Sequence, residues 1–109
     1  MAYDEKLAAR VRVLLAGRSD VIERPMFGGL TFMVAGHMCC GVHDDTLILR
    51  LGPEGASEAL ADGRARPMDF TGRPLTGFVI VDSDALGGKA LPEWVREAVA
   101  WAESLPPRP

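Results

Sequence analysis

No run in this 109-residue chain approaches the ~18 consecutive apolar residues that a membrane-spanning helix requires. There is no basic excess either. The formal net charge is -3, whereas domains whose main task is gripping phosphates carry surplus positive charge. A local basic patch is still compatible with that total. Cysteine is nearly absent, and its two copies, Cys39 and Cys40, are adjacent. Neighbouring residues of a strand point to opposite faces, so no bridge is expected between them. Two free thiols suit a reducing compartment. The opening residues Met-Ala-Tyr-Asp-Glu-Lys are polar and acidic, unlike a signal peptide, and a cytoplasmic location is expected.

What is present is ordinary for a globular protein, with 48% hydrophobic and 25% charged residues. The length suits one domain, residues 1-109. At this size roughly two-thirds of the unfolded surface can be buried, so one core needs no staples.

Residues 4-16 read as an amphipathic helix, with Leu7, Val11, Leu14 and Leu15 as its apolar stripe. Asp4 and Glu5 suit its start and Gly17 suits a left-handed cap. Residues 19-23 read as a connection. The stretch from Arg24 to Val34 is then a hinge. Pro25 keeps Arg24 out of the helical region. Gly28 and Gly29 can take the positive φ of a bulge or tight bend.

Strands are expected at Leu30 to Val34, Met38 to Val42 and Thr46 to Leu51, with turns at residues 35-37 and 43-45. In the third, Leu47, Leu49 and Leu51 alternate with Ile48 and Arg50, which suggests one buried and one wetter face. A short helix over about residues 53-61 starts at Pro53. A weak strand around Met68 to Phe70, a strong one from Gly77 to Asp82 and a helix from Leu91 to Ser104 complete the order α-β-β-β-α-β-β-α. The predicted fold is α+β, in two layers: an antiparallel five-stranded sheet with helices packed on it.

Gly28-Gly29 is not a phosphate loop by its setting. It follows a helical pattern and opens a strand, and no Lys follows. His37, Cys39, Cys40 and His43 lie within seven positions. Zinc takes such residues, but their spacing matches no finger or ribbon, and the histidines bracket one strand. A thiol nucleophile would need a depressed pKa and a base, and mid-strand cysteines are usually buried and inert. The plainer account is two turn histidines, one buried cysteine and one half-buried. Asp44, Asp45, Asp82 and Asp84 all fall in turns, where Asp is common for backbone reasons. Arg64, Arg66 and Arg73 flank the weak strand and could dock an acidic partner or nucleic acid. Trp94 and Trp101, seven apart, lie on one helical face and suit core packing.

Met26-Phe27-Gly28-Gly29, Gly36-x-Met38, Leu47-x-Leu49-Arg50, Pro67-x-x-Phe70 with Gly72-Arg73-Pro74, and the closing helix with Trp94 together resemble the N-terminal domain of the TfoX/Sxy family. That family is linked to regulation of natural competence. The likeness spans about residues 4-104. It implies a two-layer α/β domain with an antiparallel sheet. It also implies a non-enzymatic regulator that acts through protein partners, with transcription regulation as one setting. It brings no catalytic residues and no cofactor. Longer members carry a second, helical C-terminal domain; this chain is expected to be the stand-alone module, with a homodimer as one form open to it. Two alternatives stay open: direct nucleic-acid binding through Arg64, Arg66 and Arg73, and a thiol- or metal-dependent enzyme centred on His37, Cys39, Cys40 and His43.

Overall fold

The computed structural model describes residues 3-26, 28-68 and 75-106. Its elements are α1 (Glu5–Leu14), β1 (Val21–Met26), β2 (Gly29–Val34), β3 (His37–His43), β4 (Thr46–Arg50), α2 (Gly52–Ala61), β5 (Arg66–Pro67), β6 (Phe78–Val81) and α3 (Ala90–Ser104). One 3-10 turn, Ser83–Ala85, precedes α3. The strands form one sheet in the order β1-β2-β3-β4-β6-β5, and each neighbouring pair is antiparallel.

The α+β architecture is as expected, but the sheet has six strands where five were predicted. The added strand is β1, which the sequence presents as a connection. It carries Glu23, Arg24 and Pro25 and sits at the edge of the sheet, exposed along most of its length. Burial therefore imposes no alternation on it, and an edge tolerates the missing N–H of Pro25. The weak strand starts earlier than expected: its described part is Arg66 and Pro67, Met68 follows it, and Asp69 and Phe70 lie outside the described residues.

The first four strands are a meander joined by two-residue turns, since Met26 pairs Gly29, Val34 pairs His37 and His43 pairs Thr46. Short turns of this kind force antiparallel neighbours. The Met-Phe-Gly-Gly stretch is thus the first hairpin turn, not the junction between a helix and the first strand.

Helix α1 starts where Asp4 accepts hydrogen bonds from the backbone N–H groups of Lys6 and Leu7, at 2.8 and 3.2 Å. It does not end on Gly17. The C-cap is Leu15, at φ -101, and its N–H reaches back to Val11 and Arg12. Leu7, Ala8, Val11 and Leu15 are buried, while Leu14 sits at the rim and is 41% exposed. Arg12 on α1 holds both carboxylate oxygens of Glu23 on β1, at 2.7 and 2.8 Å.

Paired residues share a sheet face, so the register sorts the side chains. Phe32, Cys40, Leu49 and Val79 form one row and Leu30, Val42, Leu47 and Val81 the next. Both rows lie under the helices in one core with Val11, Leu91, Trp94 and Ala98. The opposite face holds Ile48, Ile80 and Met68, a separate buried cluster flanked by half-buried Met38 and Phe78. The expectation of one wetter face therefore fails at the sheet's centre: Ile48 and Ile80 are 3% and 1% exposed. Met68, which follows the short edge strand, packs against them.

Candidate functional site

Gly28 and Gly29 serve two separate needs. Gly28 closes the first hairpin at φ 76, a left-handed conformation that costs other residues. Gly29 needs room instead. A Cβ there would stand 2.1 Å from the Val42 carbonyl oxygen on β3. The pair bends and packs backbone. Met26 is half-buried on β1, and Phe27 lies outside the described residues.

The cysteines depart from the simple alternation. Phe32 pairs Cys40 and Met33 pairs Met38, so Cys39 is the extra residue of a bulge. The bulge brings both thiols into the helix-side core. Each is fully buried, where one had been expected half-buried. Both are free thiols. The neighbouring Cys39 side chain, and then burial, push the Cys40 thiol well above its ordinary pKa. A thiol so held is protonated, the opposite of an activated nucleophile.

His37 and His43 stand at the two ends of β3, as their spacing suggests. His37 is buried and its Nε2 meets the carbonyl oxygen of Pro106 at 2.5 Å, tying the segment after α3 to the sheet. His43 Nδ1 lies 3.6 Å from Asp44 Oδ2. Among the described residues no three His, Cys, Asp or Glu side chains converge as a metal ion would need.

Arg64 and Arg66 each meet a carboxylate. Arg64 Nε donates to both oxygens of Asp62 at 2.9 and 2.8 Å, and its guanidinium stacks on Trp94 of α3, 4.9 Å from the ring centre. A hollow of about 280 Å³ beside this stack is lined by Glu93 and Glu97 as well. Those acids offset the single guanidinium and disfavour an anion there. Arg66 Nε and Nη2 donate to Asp82 at 2.9 to 3.2 Å. Each arginine depresses its partner's pKa, first through the hydrogen bond. Arg64 leans on the helix layer and Arg66 shares a row with Ile80 on the other face. Arg73 lies outside the described residues.

The sheet face away from the helices gathers residues that sequence reasoning did not single out together. Ile22 pairs Met33 and Met33 pairs Met38, giving an apolar row across β1, β2 and β3. Ile22 is 54% exposed, and both methionines are half-buried. Met26 lies on the same face of β1, and Met68 on the same side of the sheet, so four of the chain's five methionines gather there. Arg24, on the β1 face that carries Ile22 and Met26, is exposed. Arg50 stacks on Phe78, 5.6 Å from its ring centre. The signal was the alternation Ile22, Arg24, Met26, visible only once residues 21-26 are known to be a strand.

No helix of the described residues is long and apolar enough to cross a membrane. The sequence model of one family, the TfoX N-terminal domain, matches residues 13-102. No curated protein and no solved structure matches the chain.

Proposed function

The chain belongs to the TfoX N-terminal domain family, and from that premise we propose that it is a small regulatory module that works by contact with a protein partner and not by turnover. The supporting observation is how its chemically able side chains are used. The thiols are sealed in the core, His37 clasps the Pro106 carbonyl, and Arg64 and Arg66 are paired with Asp62 and Asp82. Such groups hold the fold. The family's link to competence points to transcription regulation as the setting, exerted through the partner. Self-association into a homodimer is compatible with this role.

Cross-linking in the cells that make the protein tests this. A partner recovered at fixed stoichiometry, and recovered reciprocally when the partner is tagged, is the expected result. Salt-dependent affinity for DNA that falls when Arg64, Arg66 and Arg73 become Ala would replace this proposal with direct nucleic-acid binding.

A further inference from the structure

We propose that the β1–β3 part of the sheet face opposite the helices docks an acidic amphipathic helix of a different protein. The inference rests on the interaction-module reading and names its surface and its partner's chemistry.

Three observations carry it. The first is composition. Ile22, Met33 and Met38 form a continuous row in which Ile22 is more than half exposed. Methionine is unbranched and polarisable, and adapts to a partner's side chains better than branched residues do. The second is charge. Arg24 at the β1 end and Arg50 on β4 flank the row, and among the described residues neither has an ion-pair partner. The one carboxylate on β1 to β4, Glu23, pairs in register with Phe32 on the helix side and is held by Arg12. The acids gather elsewhere: Glu54 and Glu58 on α2, and Glu93, Glu97 and Glu103 on α3. Asp20, Asp44 and Asp45 sit at strand ends and Asp82, just past β6, is held by Arg66, so Arg24 and Arg50 give the β1–β3 part of this face a positive character in a chain of net charge -3. The third is reach. Three strands at ~4.8 Å spacing cover roughly 10 Å, close to two helical turns at ~5.4 Å each. A helix laid across the strands could set apolar residues at i, i+4 and i+7 on the row and leave carboxylates for the two arginines.

A second copy of the chain fits this face poorly. The helix that exposes apolar residues is α1, with Val13 and Leu14 73% and 41% exposed, and it carries Arg10 beside them, while Arg12 is taken up by Glu23. Like charge would meet like charge. The acidic outer faces of α2 and α3 offer only Leu60, 37% exposed, as a large apolar side chain.

The test is selection of helical peptides of about 14 residues from a displayed random library against the full chain. The enriched peptides should combine apolar residues at helical spacing with flanking Asp and Glu. Their amide-shift footprint on the unmodified protein should fall on β1 to β3. Affinity should drop roughly tenfold or more for Arg24→Glu with Arg50→Glu, and change by less than about twofold for Val13→Glu on α1. Arg24 is exposed, whereas Arg50 is half-buried against Phe78, and the footprint on the unmodified chain guards against a folding artefact. Enrichment of basic or neutral peptides, a footprint on the helices, or no binder at all overturns the proposal. So does a single-stranded oligonucleotide of about 20 nucleotides that binds through the same arginines. A cellular partner whose binding survives both arginine changes sinks this surface and spares the module reading. Oligonucleotide binding with no protein partner sinks both.

Discussion

Gly29 on β2 lies directly beneath the carbonyl of Val42 on β3: a Cβ at Gly29 would stand 2.1 Å from that oxygen and 3.1 Å from its carbon. No flexible side chain can yield, because the obstacle is backbone. Gly29→Ala should therefore force the two strands apart and cost on the order of 3 kcal/mol. At Gly28 the constraint is φ, 76°, which Asn tolerates. Gly28→Asn should cost less than about 1 kcal/mol. Urea melts of both variants check this, and equal losses at the two positions would refute the division of roles.

Gly52 makes a comparable demand at the start of α2. It sits at φ 81, and a Cβ there would come within 2.6 Å of the Trp101 ring. Gly52→Ala combines backbone strain with a ring displaced from its seat, a loss of about 2–3 kcal/mol. In a Trp101→Ala background only the backbone part should remain. The coupling between the two changes, read from a double-mutant cycle, is expected to exceed about 1 kcal/mol.

The bulge at Cys39 makes a chemical prediction. Both thiols are fully buried, and the Cys40 thiol is held protonated. Ellman's reagent should modify neither in the native protein faster than the chain opens, at least roughly a hundredfold slower than in denaturant. In denaturant both should react. Rapid native modification of either cysteine would revive a thiol function.

Arg66 and Asp82 supply a pH test. The hydrogen bond from Arg66 holds the Asp82 carboxyl below its ordinary range. A carboxylate with a depressed folded pKa stabilises the fold above its unfolded pKa, and that contribution disappears as the pH falls through the folded one. Both partners are about half exposed, so solvent screens the pair and the effect on global stability is small. The readout is local. Carbon-detected titration of Asp82 should give a midpoint below that of an ordinary aspartate, and Arg66→Gln should return it to the usual range. An unchanged midpoint in Arg66→Gln would show that something else holds the carboxylate.

Sequence by itself determined what local chemistry controls. The 3.6-residue stripe of Leu91, Trp94, Val95 and Ala98 can be buried only as a helix. The alternation of Leu47 and Leu49 with Ile48 and Arg50 demands a strand. Turn residues expected at 35-37 and 43-45 left room only for antiparallel neighbours, and the pairing trims each turn to two residues. Tertiary structure decided what depends on pairing. Residues 21-26, with their Glu-Arg-Pro, become a strand because β2 offers an edge to bond to, and no local preference announces that. The extra residue at Cys39 belongs to the register between two strands, so nothing in its neighbours along the chain reveals that both thiols turn inward. The gathering of Met26, Met33, Met38 and Met68 on one side, with Arg24 and Arg50 beside them, follows from the same pairing. Side-chain periodicity says which residues share a face of one element. Only hydrogen bonding between elements says which faces meet.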